Sequence, residues 1–319
     1  RLLLYGKGEF TMKANSKLGN FNKFLAVLLV LAIIFLVLVV TVIKPGGAYK
    51  AAPVDANASS GEDVATIDEF VAGTYGGIEF NSVEDVVNYY VKSYNYTKSL
   101  TAQYNDNGTT ATYYKLLGME NLQVENIMVE GNSNDLINQL VPTIVGGLFT
   151  GGLKGLPPCG NISPTADTVG DGINVTQSLL TADDVLMANV VDNGDGTINI
   201  TIQPKAVELS MPGSDAQGHF FNTLGDITST VESIEQLSFS SGSISDNFVV
   251  TYKGGSGTVT INTATNEIVS GDYTMNVHVD VTHANVLVLK DKSASLDIVY
   301  TNTFPATTEQ LTEKGITAA

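Results

Sequence analysis

The residues with the clearest metal-ligand chemistry are His278, Asp280 and His283, which lie close together in the chain. Proteins bind metal ions through several such side chains gathered on one face. Side chains alternate along a strand, so His278 and Asp280 share a face, whereas His283 lies on the other unless a bulge or bend intervenes. This spacing favours polar residues on the solvent face of a strand, and we predict no bound metal and no cofactor.

The sequence DNGDG at residues 192–196 resembles part of a calcium-binding loop. An EF-hand would need Asp in place of Val191 and Glu in place of Ile202, with helices on either side. Asn-Gly and Asp-Gly pairs are instead typical of the turn between two antiparallel strands. We therefore predict a hairpin turn.

Catalytic chemistry has little support in the sequence. Cys159 is the only cysteine and the chain has three histidines, so a thiol nucleophile has few bases available to activate it. Carboxylates are numerous, but the chain has no Trp to stack on sugar rings, although Tyr could substitute. We predict that the protein is not an enzyme, and a carboxylate-dependent hydrolase stays as the third alternative.

The charge of the chain argues against nucleic acid as a partner. The formal net charge is −17 at pH 7, Arg1 is the only arginine, and residues 51–319 hold nine lysines against 32 Asp and Glu. Nucleic-acid binding requires basic clusters that displace counterions from phosphates. We interpret the acidic surplus as the solvated surface of an extracellular domain.

Residues 24–43 form a run of twenty residues without a charge, in which Thr41 is the only polar side chain. A bilayer core about 30 Å thick needs about 20 apolar residues in helical form, so we predict a single transmembrane helix. A cleaved signal peptide is the alternative, because small residues follow at 46–48. The lysines of residues 12–23 favour a cytoplasmic N-terminus and an extracellular C-terminal domain at the cell membrane.

The rest of the chain is divided around this anchor. Met12 opens a normal basic leader, and residues 6–9 can be encoded by purine-rich codons that resemble a bacterial ribosome-binding site. We therefore predict a bacterial source. The predicted segments are an untranslated leader (1–11), a cytoplasmic basic segment (12–23), a flexible linker (44–66), an extracellular domain (67–305) and a disordered tail (306–319).

Apolar periodicity predicts the elements of the extracellular domain. Apolar residues recur at helical spacing over residues 83–94, after a capping oxygen at Asn81 or Ser82. Alternating residues predict strands elsewhere, with one buried and one solvated face. The strands are placed at 100–104, 109–116, 122–130, 189–191, 197–203, 248–252, 258–262, 267–281 and 293–304, with the sequence KGGSG as the turn between 248–252 and 258–262.

A second predicted helix covers residues 134–150 and is apolar around most of its girth. Such a helix must be buried or must face an apolar cavity. Pro142 would kink it. The candidate ligand-binding residues lie along it, and the alternative is that they fill a core: Leu140, Val141, Ile144, Val145, Leu148 and Phe149.

These elements predict an α+β fold, in which a strongly curved, mostly antiparallel and half-barrel-like sheet carries the two helices on its concave side. The segments SVEDVV (82–87), LTADDV (180–185), DNGDGTINI (192–200) and GTVTINTATNEI (257–268) resemble uncharacterised membrane-anchored or lipoprotein-like surface proteins of gut Firmicutes. The chain is similar, more loosely, to LolA/LppX-type lipoprotein carriers, whose curved sheet wraps helices around an apolar cavity. The resemblance covers residues 82–304 and implies no site residue.

The function predicted from these features is that of a non-enzymatic, membrane-anchored surface module. It would bind a lipid or another apolar ligand between the helix at 134–150 and the sheet. The alternative is a structural or partner-binding ectodomain with a solid core, which uses its acidic outer face. The expected partners are the membrane, through the anchor, and an apolar small molecule.

Overall fold

The computed structural model describes residues 63–133, 152–157, 177–223, 225, 237–286 and 289–319. Within these ranges the α-helices are α1 (Val83–Ser99), α2 (Ala216–Phe220), α3 (Ile244–Asn247) and α4 (Thr308–Glu313), and residues Ala182–Asp184 form a 3₁₀ turn. The strands are β1 (Gly73–Tyr75), β2 (Ile78–Phe80), β3 (Thr101–Asp106), β4 (Thr109–Tyr114), β5 (Leu117–Val129), β6 (Asn132–Ser133), β7 (Leu153–Gly155), β8 (Val185–Asp192), β9 (Thr197–Pro204), β10 (Val207–Glu208), β11 (Leu237–Phe239), β12 (Phe248–Tyr252), β13 (Ser256–Asn262), β14 (Glu267–Val286), β15 (Leu289–Phe304) and β16 (Ile316–Ala318).

An open sheet of eleven described strands dominates the fold. Its main path runs β6-β5-β15-β14-β13-β9-β8, and each pairing along it is antiparallel. Two small sheets, β1-β2 and β16-β3-β4, complete the described structure. The predicted α+β class is therefore confirmed as a mostly antiparallel sheet with few helices, not closed into a barrel.

The main sheet has one apolar face and one polar face. We call the first the core face; on the two long strands it carries the buried residues Val277, Val279, Leu296 and Ile298. We call the other the outer face; it carries His278, Asp280 and Asp297, which are half-buried. The alternation that the sequence shows over 267–281 and 293–304 is thus confirmed as a division between core and surface.

Helix α1 begins and packs as its sequence predicts. The Ser82 side chain accepts the Asp85 N–H and the Asp85 side chain accepts the Ser82 N–H, which forms a capping box. Tyr90 and Tyr94 are buried, and the Tyr90 hydroxyl lies 2.9 Å from the Tyr273 hydroxyl of β14. The helix packs against β8, β9 and β14.

The predicted turn between 248–252 and 258–262 is wrong. Both β12 and β13 pair with β14, β12 opposite Val277–Val281 and β13 opposite Glu267–Thr274, so they lie end to end along one side of it. The chain bends between them at Gly254, whose φ is +74°. A Cβ on Gly255 would lie 2.6 Å from the Thr274 carbonyl oxygen, so only glycine lets the backbones approach this closely.

Both ends of the predicted domain are corrected by the structure. Residues 306–319, predicted as a disordered tail, form α4 and then β16, which pairs with β3. Residues 63–66, assigned to the linker, are hydrogen-bonded to the fold: the Thr66 N–H donates to Gln203 Oε1, and Asp63 Oδ2 accepts the Ala206 N–H. The folded part therefore extends beyond both predicted boundaries.

The predicted transmembrane helix at 24–43 lies outside the described residues. Over the ranges that the structure does describe, no helix has the length and apolarity needed to cross a bilayer.

The packing of the C-terminal segment gives a first test. Ile316 is 4% exposed and packs with Tyr113, Tyr114 and Leu117. We expect Ile316→Ala to lower the free energy of unfolding by about 2–5 kcal/mol, because it leaves a cavity in this small core. Urea unfolding of residues 61–319 measures the change. Thr317→Ala, at an exposed position, is the matched control, and equal midpoints for the two variants would show that the tail adds no stability.

Candidate functional site

The predicted ligand-binding residues Leu140, Val141, Ile144, Val145, Leu148 and Phe149 lie outside the described residues. The structure does show where the segment that contains them begins and ends. β6 pairs with the Met128–Val129 end of β5, and β7 pairs with its Leu117–Met119 end. The segment 134–152 therefore leaves the sheet at one end of β5 and returns at the other.

The core face of β5 and β15 is apolar. Leu122, Val124 and Ile127 of β5 and Leu296 and Ile298 of β15 are all buried. Helix α1 covers a different part of the sheet, around β8, β9 and β14. The described residues at both ends of this segment, Ser133 and Leu153, pair with β5, so the β5 side of the sheet is the part nearest to them.

A buried polar cluster lies where this segment rejoins the sheet. Glu120 is 3% exposed; its carboxylate lies 3.3 Å from Lys154 Nζ and accepts a short hydrogen bond from the Tyr300 hydroxyl. Burial first, and then the charge of Glu120, raise the pKa of Tyr300 well above its ordinary value. The Glu120 N–H also donates to the Gly152 carbonyl oxygen. The cluster joins β5, β7 and β15.

The buried ion pair gives a stability prediction. Glu120→Gln keeps the shape of the side chain but removes the charge that lies against Lys154. We expect the variant to lose about 3–5 kcal/mol, because a buried ammonium is left without this counter-ion. Chemical denaturation measures the loss. Adding Lys154→Met should recover most of it, and a double variant no more stable than Glu120→Gln would contradict this explanation.

The outer face carries a hydrogen-bonded cluster of polar side chains centred on His278. Its Nδ1 lies 2.6 Å from Asp297 Oδ1, and its Nε2 lies 3.3 Å from Asp280 Oδ1. Partial burial lowers the pKa of His278, but the hydrogen bond to Asp297 and the charges of Asp280 and Asp297 outweigh it, so that the pKa is raised overall. His278 and Asp280 share a face, as predicted.

A β-bulge adds a fourth residue, Asn126, to this hydrogen-bonded cluster. The register between β5 and β15 shifts between Ser295 and Asp297, and Asn126 has a φ of +49°. Two residues of β5 therefore oppose one residue of β15. Asn126 Nδ2 consequently donates to Asp297 Oδ2 over 2.7 Å, which leaves both oxygens of Asp297 bonded.

A cleft of about 340 Å³ opens on the outer face around this hydrogen-bonded cluster. It crosses four strands, from β5 through β15 and β14 to β12. Register places Glu125, Asp297, His278 and Thr251 in one row across these strands. A neighbouring row consists of Val299, Asn276 and Lys253, since the Lys253 N–H donates to the Asn276 carbonyl oxygen. All seven side chains belong to residues that line the cleft.

Sequence reasoning identified His278 and Asp280 but missed the rest of this site. Asp297 has the opposite parity to Leu296 and Ile298, which is a signal that it faces outward. Only the strand register shows that it lies opposite His278. No sequence pattern signals the bulge that adds Asn126.

The other two histidines also lie against aspartates. A register shift after Val281 and a φ of +50° at His283 form the bulge that the sequence left open, and His283 Nδ1 lies 2.7 Å from Asp291 Oδ1. His219 Nδ1 lies 3.0 Å from Asp184 Oδ2. Across the described part of the chain, no three or more His, Cys, Asp or Glu side chains are grouped as metal ligands.

The predicted turn at 192–196 is confirmed. It joins β8 to β9, and Gly194 and Gly196 have positive φ values. Hydrogen bonds from the Gly76 and Gly194 N–H groups lower the pKa of Asp192. The carboxylates of this turn therefore accept hydrogen bonds within the turn and from the loop between β1 and β2. Cys159 lies outside the described residues.

Comparison of the chain with protein-family models, with curated proteins and with solved structures found no match in any of the three. The resemblance to anchored surface proteins of gut Firmicutes and to LolA/LppX-type carriers therefore stays a prediction. The geometry of the two faces carries the functional argument.

The raised pKa of His278 gives a pH prediction. Folding favours its protonated form, so this stability is present below about pH 6.5, the ordinary pKa of histidine, and is lost as pH rises through the raised pKa. An NMR titration should find the pKa of His278 above about 6.5, and Asp297→Asn should lower it.

The matching stability measurement compares the native chain with His278→Gln. The difference in free energy of unfolding should be larger at about pH 5.5 than at about pH 9, since only protonated His278 gains from its two aspartates. A His278 pKa at or below the ordinary value would contradict the prediction.

Proposed function

We propose that this protein is a non-enzymatic, membrane-anchored surface module that binds a lipid or another apolar molecule. The ligand would lie between the segment 134–150 and the β5 side of the core face. The anchor would be the apolar run at 24–43, with the folded domain outside the cell. The observation that carries the proposal is the placement of β6 and β7 at opposite ends of β5.

The dimensions of this connection support a helix along β5. Nine residues separate Met119, which pairs with Leu153, from Met128, which pairs with Ser133. A strand of that length spans about 30 Å. The nineteen residues 134–152 would span about 28 Å as a helix. A single helix would therefore run the length of β5 with little chain to spare.

The chemistry of the two surfaces is also complementary. The candidate ligand-binding residues recur at positions i, i+1, i+4, i+5, i+8 and i+9, which places them on one side of a helix. Leu122, Val124 and Ile127 supply an apolar surface on the sheet. Together with α1, this helix would be the second on the concave side of a curved sheet, and Pro142 would bend it away from close contact.

The described carboxyl groups favour a non-catalytic role. Five have a clearly shifted pKa, and each shift is downward: Asp184, Asp192, Asp195, Asp246 and Asp291. A lowered pKa keeps a carboxyl ionised at neutral pH, whereas the general acid of a hydrolase needs a raised one.

The test is to look for the ligand directly. Residues 61–319 keep every described element and can be purified without detergent. Organic extraction followed by mass spectrometry should find an apolar compound at about one molecule per chain after incubation with membrane lipids. Ile144→Asp should reduce it at least about ten-fold, since burying a charge in an apolar site is strongly unfavourable.

The control substitution is Val269→Asp, at a residue that is 41% exposed. It adds the same charge away from the proposed site and should retain the ligand. A clean extract from the native chain, after incubation with lipids, would overturn the proposal and favour the partner-binding ectodomain. Unfolding of Ile144→Asp with no ligand in the native chain would show that Ile144 fills a core.

A further inference from the structure

Two turns of this chain contain an Asn-Gly pair, one at residues 107–108 and the other at residues 193–194. In such a pair the backbone nitrogen of the glycine can attack the side-chain amide of the asparagine, because glycine has no Cβ to hinder the approach. The attack needs a glycine N–H that is free and an asparagine amide that can move. The hydrogen bonds at the two turns therefore decide how readily each pair reacts.

The glycine N–H is held more weakly in the turn at residues 107–108. The Gly108 N–H donates to Asn105 Oδ1 over 2.8 Å, and the Gly194 N–H donates to Asp192 Oδ1 over the same distance. The acceptor is a neutral amide in the first turn, whereas in the second it is a carboxylate with a lowered pKa. Hydrogen bonds to an ionised acceptor are about twice as strong as those between neutral groups.

The asparagine side chain is also less restrained at Asn107. Within the described residues, Asn107 Nδ2 donates one hydrogen bond, to Asp106 Oδ1 over 2.9 Å. Asn193 Nδ2 donates to both Thr197 Oγ1 and Asn199 Oδ1, over 2.9 Å and 3.0 Å. The Asn193 amide is thus fixed at two points, and the Asn107 amide at one.

The two turns differ in the structure that supports them. The turn at 192–196 joins two strands of the eleven-stranded sheet, and Asp192 Oδ2 also accepts the Gly76 N–H from the loop between β1 and β2. The turn at 107–108 lies at the tip of β3 and β4, in a sheet of three strands. Local opening costs less free energy where fewer contacts are broken, so the turn at 107–108 opens more readily.

Asn107 lies against the segment that leads into the C-terminal strand. Its N–H donates to the Gly315 carbonyl oxygen over 2.9 Å, and β16 begins at the next residue, Ile316. The Asn107 side chain fills the space in which a Cβ on Gly315 would lie, so the two residues are in close contact. Ile316 pairs with Asp106 and is buried in the small core beneath this sheet.

We propose that Asn107 is a site of spontaneous deamidation, and that its isoaspartate product releases β16 from β3. The Gly108 backbone nitrogen forms a bond to Asn107 Cγ, and the Asn107 side-chain nitrogen leaves as ammonia with the proton that Gly108 gives up. Water then opens the cyclic imide at either carbonyl, which yields aspartate or isoaspartate. Isoaspartate adds a carbon atom to the backbone of the turn, so the alignment of Asn107 with Gly315 is lost.

The experiment is incubation of the full chain in a nonionic detergent, followed by peptide mapping with mass spectrometry. Asn107 should convert at least about five-fold faster than Asn193, the internal control, because its turn is held by weaker bonds. Both rates should rise from neutral to mildly alkaline pH, since the attack requires loss of the glycine proton. Conversion of Asn107 no faster than that of Asn193 would overturn the proposal.

A variant tests the hydrogen bond that restrains Gly108. Asn105→Ala removes the acceptor of the Gly108 N–H, so it should speed conversion at Asn107 by about five-fold and leave Asn193 unchanged. Asn121→Ala, at an exposed asparagine of β5, is the matched control and should change neither rate. Equal rates at Asn107 in the two variants would show that this hydrogen bond gives no protection.

Release of β16 is measured on the same incubated samples. In the fraction that carries isoaspartate at 107, the β16 amides should exchange hydrogen faster than in the unmodified chain, whereas those of β14 should not change. Asn107→Asp carries the charge of the product without the extra backbone atom, so it should keep β16 protected. An isoaspartate fraction in which β16 stays protected from exchange would overturn the second part of the proposal.

Discussion

The antiparallel pairing of β14 with β15 is the interaction on which the rest of the structure depends. The two strands stay in register from Gly271–Phe304 to Val281–Ala294, and every other strand of the main sheet is placed relative to them. β13, β12 and β11 follow one another along the free side of β14, whereas β5 pairs with the free side of β15. A shift of one residue in this register would place the apolar residues of one strand on the same face as the polar residues of the other.

The same pairing separates the apolar residues of β14 and β15 from their polar residues. Val277, Val279, Leu296 and Ile298 point to the core face, and the residues between them point to the outer face. The proposed apolar site and the outer-face cleft therefore lie on opposite faces of β5 and β15. The bulge at Asn126 acts on both faces, because it completes the bonds of Asp297 and returns Ile127 to the core.

Strand β5 connects the sheet to the segment that the functional proposal concerns. Its ends pair with β6 and β7, and the buried cluster of Glu120, Lys154 and Tyr300 connects the β7 end to β15. Burying these charges is costly unless their geometry is good. Lys154 lies two residues beyond the segment 134–152, so its contact with Glu120 holds the end of that segment at the Leu117–Met119 end of β5. The length of β5 then sets how far that segment must reach.

The sequence by itself determined the local elements, because their causes are local. The cap at Ser82, the helical repeat up to Tyr94, the turn at 192–196 and the alternation on β14 and β15 each depend on residues that are near one another in the chain. Only the tertiary structure decided which strands pair. The glycines at 254–255 are compatible with a hairpin or with a bend in an edge, and pairing of both flanking strands with β14 made it a bend. The polar tail is ordered because β16 pairs with the edge of β3. His278 lies beside Asp297 because of the strand register, and Asn126 contacts Asp297 because of a bulge; the periodicity of the sequence encodes neither.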